Sequence, residues 1–250
     1  MPRYSAMMKG LEHYVELVAD EEIRGRFFIT GFHGVGHVGW IAVRHMVTQL
    51  GAERVGYLVT RHMQPFVSVK DGIVLPYEIY RHRDAVFLLT NIPFSERDSS
   101  IVPLFVAEKF HKSFEEAILI GGLDSRRKEG DESPLKLAPT SIYLARHSDT
   151  VNKYGLLGEG LGIVGPLAYM LSVFEARKFP AVAILPYAAV ERPDPTAAAK
   201  AVEAVGEFTG LEIDVKELVE EGIRVEQKVE ELEKKIREAM RERETPPYYI

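Results

Sequence analysis

Two glycine-rich segments have the residue types and spacing of ligand-binding turns. In the first, ITGFHGVGHVGWIAV, Gly34, Gly36 and Gly39 form the pattern G-x-G-x-x-G between a predicted strand and a predicted helix. Such glycines let a dinucleotide pyrophosphate approach the backbone at a helix N-terminus. A dinucleotide site also needs an acidic residue after the second strand to hold the ribose. Here Arg61 follows that strand, which would suit only a phosphorylated ribose, so we favour glycines that serve a tight turn and close packing.

The second segment, GLLGEGLGIVGPLAYML, places Gly158, Gly160 and Gly162 ahead of another predicted helix. It lacks the Lys and Ser/Thr that a P-loop uses to hold phosphate and magnesium. Packing is again the favoured interpretation. One crevice at the ends of the strands, lined by both turns and holding a small ligand, remains an alternative.

Other residues capable of chemistry form weaker patterns. His33 and His37 have a helical spacing, but His33 falls in a predicted turn and no H-E-x-x-H motif or carboxylate triad accompanies them. We therefore predict no metal site. No G-x-S-x-G elbow supports serine hydrolysis. The segment 121–134 follows a strand and contains Asp124 and Arg126, which fits either an active-site loop or a charged surface loop.

The elements that would position these residues alternate between strands and helices, which predicts an α/β protein. Most of the strands are continuously apolar, as is typical of strands covered on both faces. Asp71-Gly72 lies between two further extended stretches and predicts a hairpin, an antiparallel addition beside the main sheet. The predicted strands are 26–32, 54–60, 85–91, 116–122 and 181–187, and the predicted helices are 37–50, 101–112 and 161–178.

The sequence changes character near residue 190, where a Pro-Asp-Pro pair precedes an alanine-rich helix that Asp194 or Thr196 can cap. We expect an α/β core over 1–190, a helical extension over 191–244 and a flexible tail over 245–250. Apolar residues in the extension alternate at four-then-three spacing, which predicts a heptad seam that packs within one subunit or between subunits. The seam comprises Val215, Leu218, Gly222, Val225, Val229, Leu232, Ile236 and Ala239.

Composition excludes several classes of protein. With 31 basic and 37 acidic residues among 250 and a net charge of −6, the chain has no basic footprint for nucleic acid. It contains no cysteine, which excludes disulfides and thiolate chemistry and is typical of a reducing compartment or a hot one. The sequence shows neither a signal peptide nor a membrane span, so we expect a cytoplasmic protein.

Three segments together resemble the archaeal members of the proteasome assembly chaperone family. They are GFHGVGHVGWIAVRHMVTQL, GLLGEGLGIVGPLAYML and PAVAILPYA, and the likeness covers roughly residues 10–190. The resemblance implies a three-layer α/β/α core akin to nucleoside phosphorylases, with a C-terminal helical extension. It also implies homo-oligomerisation and no established catalytic residues, and we predict no cofactor. The partners it implies are proteasome subunits or the assembled core particle, and we expect contact with the core-particle α-subunits.

The sequence ends TPPYYI, and the resemblance gives this tail a role. Tyr248, Tyr249 and Ile250 match the hydrophobic-tyrosine-any-residue (HbYX) ending of proteasome-activating ATPases. In such tails the terminal carboxylate pairs with a lysine between neighbouring α-subunits and the tyrosine packs beside it, a case of carboxylate capture with an aromatic anchor. Pro246 and Pro247 favour an extended spacer that loses little entropy on docking. The alternative is a tail that packs onto its own surface or onto a neighbouring subunit.

The leading hypothesis is therefore a non-enzymatic proteasome-binding protein, either an assembly chaperone or an ATP-independent activator. An oligomer would present several weak tails to a ring of pockets and gain affinity by effective concentration. A second hypothesis is an enzyme, nucleoside-phosphorylase-like or NAD(P)-dependent, that uses the glycine-rich turns. A third is an oligomeric scaffold whose tail contacts only itself or another partner.

Overall fold

A mixed β-sheet forms the centre of the protein. The computed structural model describes residues 10–70, 72–128 and 133–229. In these ranges the strands are β1 (Val15–Val18), β2 (Phe27–Gly31), β3 (Glu53–Thr60), β4 (Ser68–Val69), β5 (Ile73–Val74), β6 (Tyr77–His82), β7 (Ala85–Thr90), β8 (Glu116–Ile120), β9 (Leu123–Asp124), β10 (Leu135–Pro139) and β11 (Ala181–Ala188). The main sheet has the order β1-β3-β6-β7-β2-β8-β11-β10, and β9 also pairs with β11.

The inner strands β7, β2, β8 and β11 pair in parallel, whereas β1, β6 and β10 run antiparallel to their neighbours. Every residue of β2 and β7 is buried. Burial on both faces explains why these strands are continuously apolar in the sequence. All five predicted strands are confirmed. The sequence did not predict the two edge strands β1 and β10.

Helices cover both faces of this sheet. They are α1 (Val38–Gln49), α2 (Asp98–Phe110), α3 (Ser141–Arg146), α4 (Ser148–Tyr154), α5 (Pro166–Ala176) and α6 (Pro195–Thr209), followed by α7 over 216–229. One apolar core joins one face of the sheet to α1, α3, α4, α6 and the start of α7, and a second core joins the other face to α2 and α5. The protein is thus a mixed sheet flanked by two helical layers. No helix in the described ranges is long and apolar enough to cross a membrane.

The hairpin predicted at Asp71-Gly72 forms a small sheet of its own. β4 pairs with β5 in antiparallel register, although Asp71 itself lies outside the described residues. The guanidinium of Arg54 on β3 donates a hydrogen bond of 3.1 Å to the carbonyl of Ile73, which ties the hairpin to the main sheet. After the hairpin the chain enters β6, which lies inside the main sheet between β3 and β7.

The helix after residue 190, where the sequence predicts a boundary, packs into the same apolar core as α1. Asp194 caps α6 by accepting a 2.9 Å hydrogen bond from the amide of Ala197. Along α6, Ala198, Val202 and Val205 are almost fully buried in the same core as α1. An alanine-rich helix lies close to its neighbour because its side chains are short, and this closeness joins it to the α/β core.

The heptad seam packs on its own chain as far as the structure describes it. Leu218 is buried in the core, and a side chain on Gly222 would collide with Thr196 at the start of α6. Val225 contributes to a cavity between α7 and α1. The first half of the seam therefore serves packing within the subunit. Its remaining positions, from Leu232 to Ala239, lie outside the described residues.

Candidate functional site

The first glycine-rich turn joins β2 to α1, and packing requires two of its three glycines. Gly39 rests on the backbone at the end of β2 and β8, where an added Cβ would collide with the Ile120 carbonyl and lie 2.6 Å from the Phe32 nitrogen. Gly36 has a φ of 60°, and a Cβ there would lie 2.9 Å from the Ala188 methyl. These glycines let α1 approach the sheet more closely than a side chain would permit.

Gly34, in contrast, has open space where a side chain would be. The second turn has the same character. Added Cβ atoms at Gly160 and Gly162 would meet nothing within 4 Å, and one at Gly158 would make an ordinary contact of 3.6 Å with Leu161. The structure therefore differs from the expectation that packing explains the second turn. Gly160 instead supplies a left-handed backbone conformation, with φ of 79°.

The two turns lie on opposite faces of the sheet and do not share a crevice. Val35 and Val38 of the first turn belong to the core beneath α1, whereas Leu157 and Ile163 of the second belong to the core beneath α5. The cavity beside the second turn, of about 410 Å³, is apolar and open at the β10 edge. The alternative of one ligand crevice lined by both turns is not what the structure shows.

The residues that an enzyme would need are also far apart. β3, which ends before Arg61, lies three places from β2 in the sheet, so about 14 Å separates Arg61 from the first turn. β3 and β11 are five places apart in the sheet. About 24 Å therefore separates Arg61 from β11, the strand that pairs with β9 and its Asp124. No described arrangement brings Arg61 to the glycine turn as a dinucleotide site requires.

Asp124 and Arg126 pair with each other. The Asp124 carboxylate accepts hydrogen bonds from the Arg126 side chain, at 2.9 Å from both Nε and Nη2, and one from its backbone amide at 3.0 Å. These hydrogen bonds hold the pKa of Asp124 below its usual range. A carboxylate and a guanidinium that neutralise each other in a local turn form a structural pair, and neither is poised as an acid, a base or a phosphate ligand.

Aromatic side chains stack beside the first turn. The ring of His33 lies 4.9 Å from that of Trp40 and 5.7 Å from that of His37. Burial, and secondarily the nearby His37, lowers the pKa of His33 to about 4, so His33 is neutral at pH 7. Within the described ranges no group of three His, Asp or Glu side chains is arranged to hold a metal ion. His33 therefore stacks on Trp40, and His37 meets the His33 ring edge to face.

Two cavities lie on either side of Trp40 and Arg44, and the sequence did not predict them. The α1–α7 cavity, of about 410 Å³, includes Glu217 and Glu221 in its wall. The second, which we name the hairpin cavity, has a volume of about 510 Å³ and lies between α1, the β4–β5 hairpin and the main sheet. Its wall comprises Trp40, Arg44, Val47, Thr48, Gly51, Ala52, Phe66, Ser68, Lys70, Val74, Tyr80, Leu89 and Asn91.

Two fully buried carboxylates, Glu78 on β6 and Asp98 at the start of α2, were not predicted from the sequence. Glu78 on β6 accepts hydrogen bonds from Arg54 at 2.8 Å, Tyr80 at 2.6 Å and the side chain of Asn91 at 3.1 Å. Each of these donors belongs to or follows a strand of the sheet. The signal was an acidic residue inside the apolar stretch IVLPYEIYRH. Because Glu78 has partners on all sides, its role is to join strands.

The second buried carboxylate, Asp98, begins α2. Its Oδ2 accepts hydrogen bonds from the hydroxyls of Thr60 at 2.8 Å and Tyr77 at 3.0 Å. The pKa of Tyr77 is raised, chiefly by burial and further by this carboxylate, so its hydroxyl keeps its proton and donates. Asp98 thereby fixes the start of α2 to β3 and β6.

The tail residues Tyr248, Tyr249 and Ile250, with the spacer Pro246 and Pro247, lie outside the described residues.

The described fold defines the class of protein: a mixed α/β sheet between two helical layers, with a glycine turn used for helix–sheet packing. A family model, the PAC2 family, matches residues 28–233. The match spans most of the chain, and the protein belongs to this family.

Two relatives are uncharacterized proteins of Methanocaldococcus jannaschii. One is 24% identical over 235 residues, covering 92% of this chain and 94% of the relative. The other is 26% identical over 237 residues, covering 91% of this chain and 90% of the relative. The likeness therefore extends over nearly the whole length of all three chains.

Solved structures of Pyrococcus furiosus proteins share the fold. PbaA, an archaeal homolog of proteasome-assembly chaperone, superposes with a TM-score of 0.76 at 22% identity, covering 92% of this chain and 96% of PbaA. PbaB, an archaeal proteasome activator, superposes with a TM-score of 0.73 at 24% identity, covering 88% of this chain and 99% of PbaB. The resemblance to the archaeal proteasome assembly chaperone family is confirmed.

Proposed function

We propose that this protein is a non-enzymatic proteasome-binding protein, an assembly chaperone or an ATP-independent activator. The observation that carries the proposal is the likeness, over almost the whole fold, to an assembly-chaperone homolog and to a proteasome activator. The separation of Arg61, Asp124 and the two glycine turns supports a binding role over an enzymatic one. Binding energy alone must then drive any change in the partner.

The C-terminal tail is the part of the chain that we propose contacts the proteasome. Tyr248 and Tyr249 supply aromatic anchors, and the carboxylate of Ile250 pairs with a lysine in a pocket between neighbouring α-subunits of the core particle. Pro246 and Pro247 keep the spacer extended. A free terminal carboxylate is the one feature of this mechanism that no other residue of the chain can replace.

We further propose that the protein acts as a homo-oligomer in the cytoplasm. One short tail buries little surface and binds weakly because ordering the tail opposes binding. Several tails on one oligomer engage a ring of equivalent pockets together, which raises the apparent affinity by about 10²-fold or more. In this arrangement the segment 191–244 leads from an α/β core related to nucleoside phosphorylases to the tail 245–250.

Capture on a purified archaeal core particle tests the mechanism. We expect the full chain to be retained, and capture to fall at least tenfold, about 1.4 kcal/mol or more, when Tyr248 to Ile250 are removed. Addition of one glycine after Ile250 should have the same effect, because it moves the carboxylate. A Thr245→Ser variant is the matched control, since it keeps the aromatic anchors and the carboxylate.

The thermal unfolding midpoint of each variant should equal that of the parent chain, which separates loss of docking from loss of folding. Capture of both tail variants at the level of the parent chain would refute terminal-carboxylate docking. Absence of capture for the parent chain itself would refute the proposed function.

A further inference from the structure

The hairpin cavity has the walls of a site for an aromatic anion. Its volume of about 510 Å³ falls within the range of pockets that hold small ligands or peptide ends. Trp40, Phe66 and Tyr80 provide aromatic surfaces in its wall, and Arg44 and Lys70 provide two positive charges. Aromatic surfaces and cations in one cavity fit a ligand that carries both rings and a negative charge.

Those two positive charges are unpaired in the described part of the chain. No described residue forms an ion pair with Arg44 or Lys70, and the wall of the hairpin cavity contains no acidic side chain. The guanidinium of Arg44 instead lies 5.2 Å from the centre of the Trp40 ring. The α1–α7 cavity on the other side of Arg44 contains Glu217 and Glu221, so only the hairpin cavity favours an anion.

We propose that the hairpin cavity binds the C-terminal segment of the same chain, residues 245–250. The terminal carboxylate pairs with Arg44 and Lys70. Pro246 and Pro247 lie on the aromatic wall, because extended proline segments dock on aromatic-lined grooves. The two tyrosines and the isoleucine match the apolar remainder of the wall. The segment supplies, in six residues, each chemical group that the cavity lacks.

The position of α7 brings the end of the described chain to this region. α7 begins beside the end of α1, where Glu217 contacts Gln49, and Glu226 reaches Arg192 next to the first glycine turn. α7 therefore runs back along α1 towards Trp40. Twenty-one residues follow residue 229: as the predicted helix to residue 244 and an extended six-residue tail, they span up to about 43 Å. A tether of this kind gives the tail an effective concentration of the order of millimolar, so weak contacts suffice.

A tail held in the cavity is withheld from any other partner. The docked state is therefore autoinhibitory, and a partner must compete with the cavity for the carboxylate. The inference uses the same tail as the proposed function but a different receptor, which lies within this chain. Substitutions in the cavity wall consequently test it without altering the tail.

Disulfide trapping in the full chain tests the proposal, because the chain contains no native cysteine. Ser68→Cys places a thiol on the cavity wall, and Thr245→Cys places one at the start of the tail without changing its carboxylate. Ser172→Cys with Thr245→Cys is the matched control, since Ser172 is an exposed serine on α5, on the other face of the sheet. Under mild oxidation we expect the Ser68 pair to close at least tenfold faster than the control, as an intramolecular product on non-reducing gels.

Arg44→Glu in the Ser68 pair should slow closure about tenfold, because it replaces an attraction with a repulsion. Equal closure rates at Ser68 and Ser172, or no effect of Arg44→Glu, would overturn the proposal. A product that forms only between two chains would overturn it as well, by identifying the occupant as a second copy.

Capture on the core particle separates this inference from the proposed function. In the cysteine-free chain, Arg44→Glu should raise capture several-fold, because the tail is released. If trapping follows the pattern above and the parent chain binds no core particle, the cavity inference stands and the proposed partner fails. If the parent chain is captured and trapping shows no preference for Ser68, the proposed partner stands and the cavity inference fails.

Discussion

Gly39→Ala should strongly destabilise the protein, because the added methyl group meets only backbone. Alanine is favoured over glycine in a helix by about 1 kcal/mol, so helix propensity alone predicts stabilisation. The new Cβ, however, would collide with the Ile120 carbonyl and lie 2.6 Å from the Phe32 nitrogen and 2.9 Å from the Gly31 carbonyl carbon. None of these atoms is the flexible end of a side chain, so relief requires α1 to move away from the sheet.

Overpacking of this kind costs about 3 kcal/mol, which exceeds the gain in helix propensity. A net loss of about 2 kcal/mol lowers the thermal midpoint of a chain of this size by roughly 4–8 °C. Gly162→Ala is the matched control, since its Cβ meets nothing within 4 Å and its φ is not positive. We expect the control to change the free energy of unfolding by less than about 0.5 kcal/mol.

Urea denaturation of the parent chain and both variants measures these differences. A Gly39→Ala variant as stable as the parent would refute the packing explanation of the first turn and return the motif to a ligand-binding role. A large loss of stability in the control would show that the second turn is packed in a way that the structure does not reveal.

Three further substitutions test the buried and charged groups. Tyr77→Phe removes a hydroxyl that donates to the buried Asp98, and it should cost about 2 kcal/mol in urea denaturation; an unchanged midpoint would contradict this. Lys153 holds the pKa of Glu207 below its usual range, so this pair stabilises the fold above about pH 4.3 and less as the carboxylate protonates. Both partners are partly exposed, so Glu207→Gln should cost less than about 1 kcal/mol at pH 7, and this cost should shrink as the pH falls and the carboxylate protonates. The unfolded chain protonates His33 near pH 6.5 and the folded chain near pH 4, so the parent chain loses stability as the pH falls from 6.5 to 4. His33→Phe should flatten this dependence of stability on pH. Parallel pH profiles for the parent and the variant would refute the lowered pKa of His33.

The parts of the fold that the sequence predicted are those with a strong local signal. Strands such as β2 are mostly apolar because helices cover both faces of the sheet, and this apolar run can be recognised in the sequence. The edge strands β1 (VELV) and β10 (LKLAP) are short and mix polar with apolar residues. Their pairing depends on β3 and β11, which are distant in the chain, so no local pattern identified them.

The candidate site was less predictable, because its parts meet only in three dimensions. The first glycine turn was correctly linked to helix–sheet packing through Gly36 and Gly39. In the similar second turn, however, a Cβ added at Gly160 or Gly162 would meet no atom within 4 Å. Whether another element lies over a glycine is a tertiary property. The hairpin cavity likewise joins Arg44 on α1 to Lys70 beyond β4, and neither residue signals the other along the sequence.

The central position of β2 has a consequence for synthesis of the chain. Phe27 on β2 is opposite Ala85 on β7 and Glu116 on β8. The ribosome must therefore add about 90 residues after β2 before both of its edges are paired, which takes roughly 4–18 s at 5–20 residues per second. Until β8 has been made, the mostly apolar β2 keeps at least one open edge on the nascent chain, and such segments are prone to aggregate. Shielding of β2 during translation is thus a requirement built into the strand order.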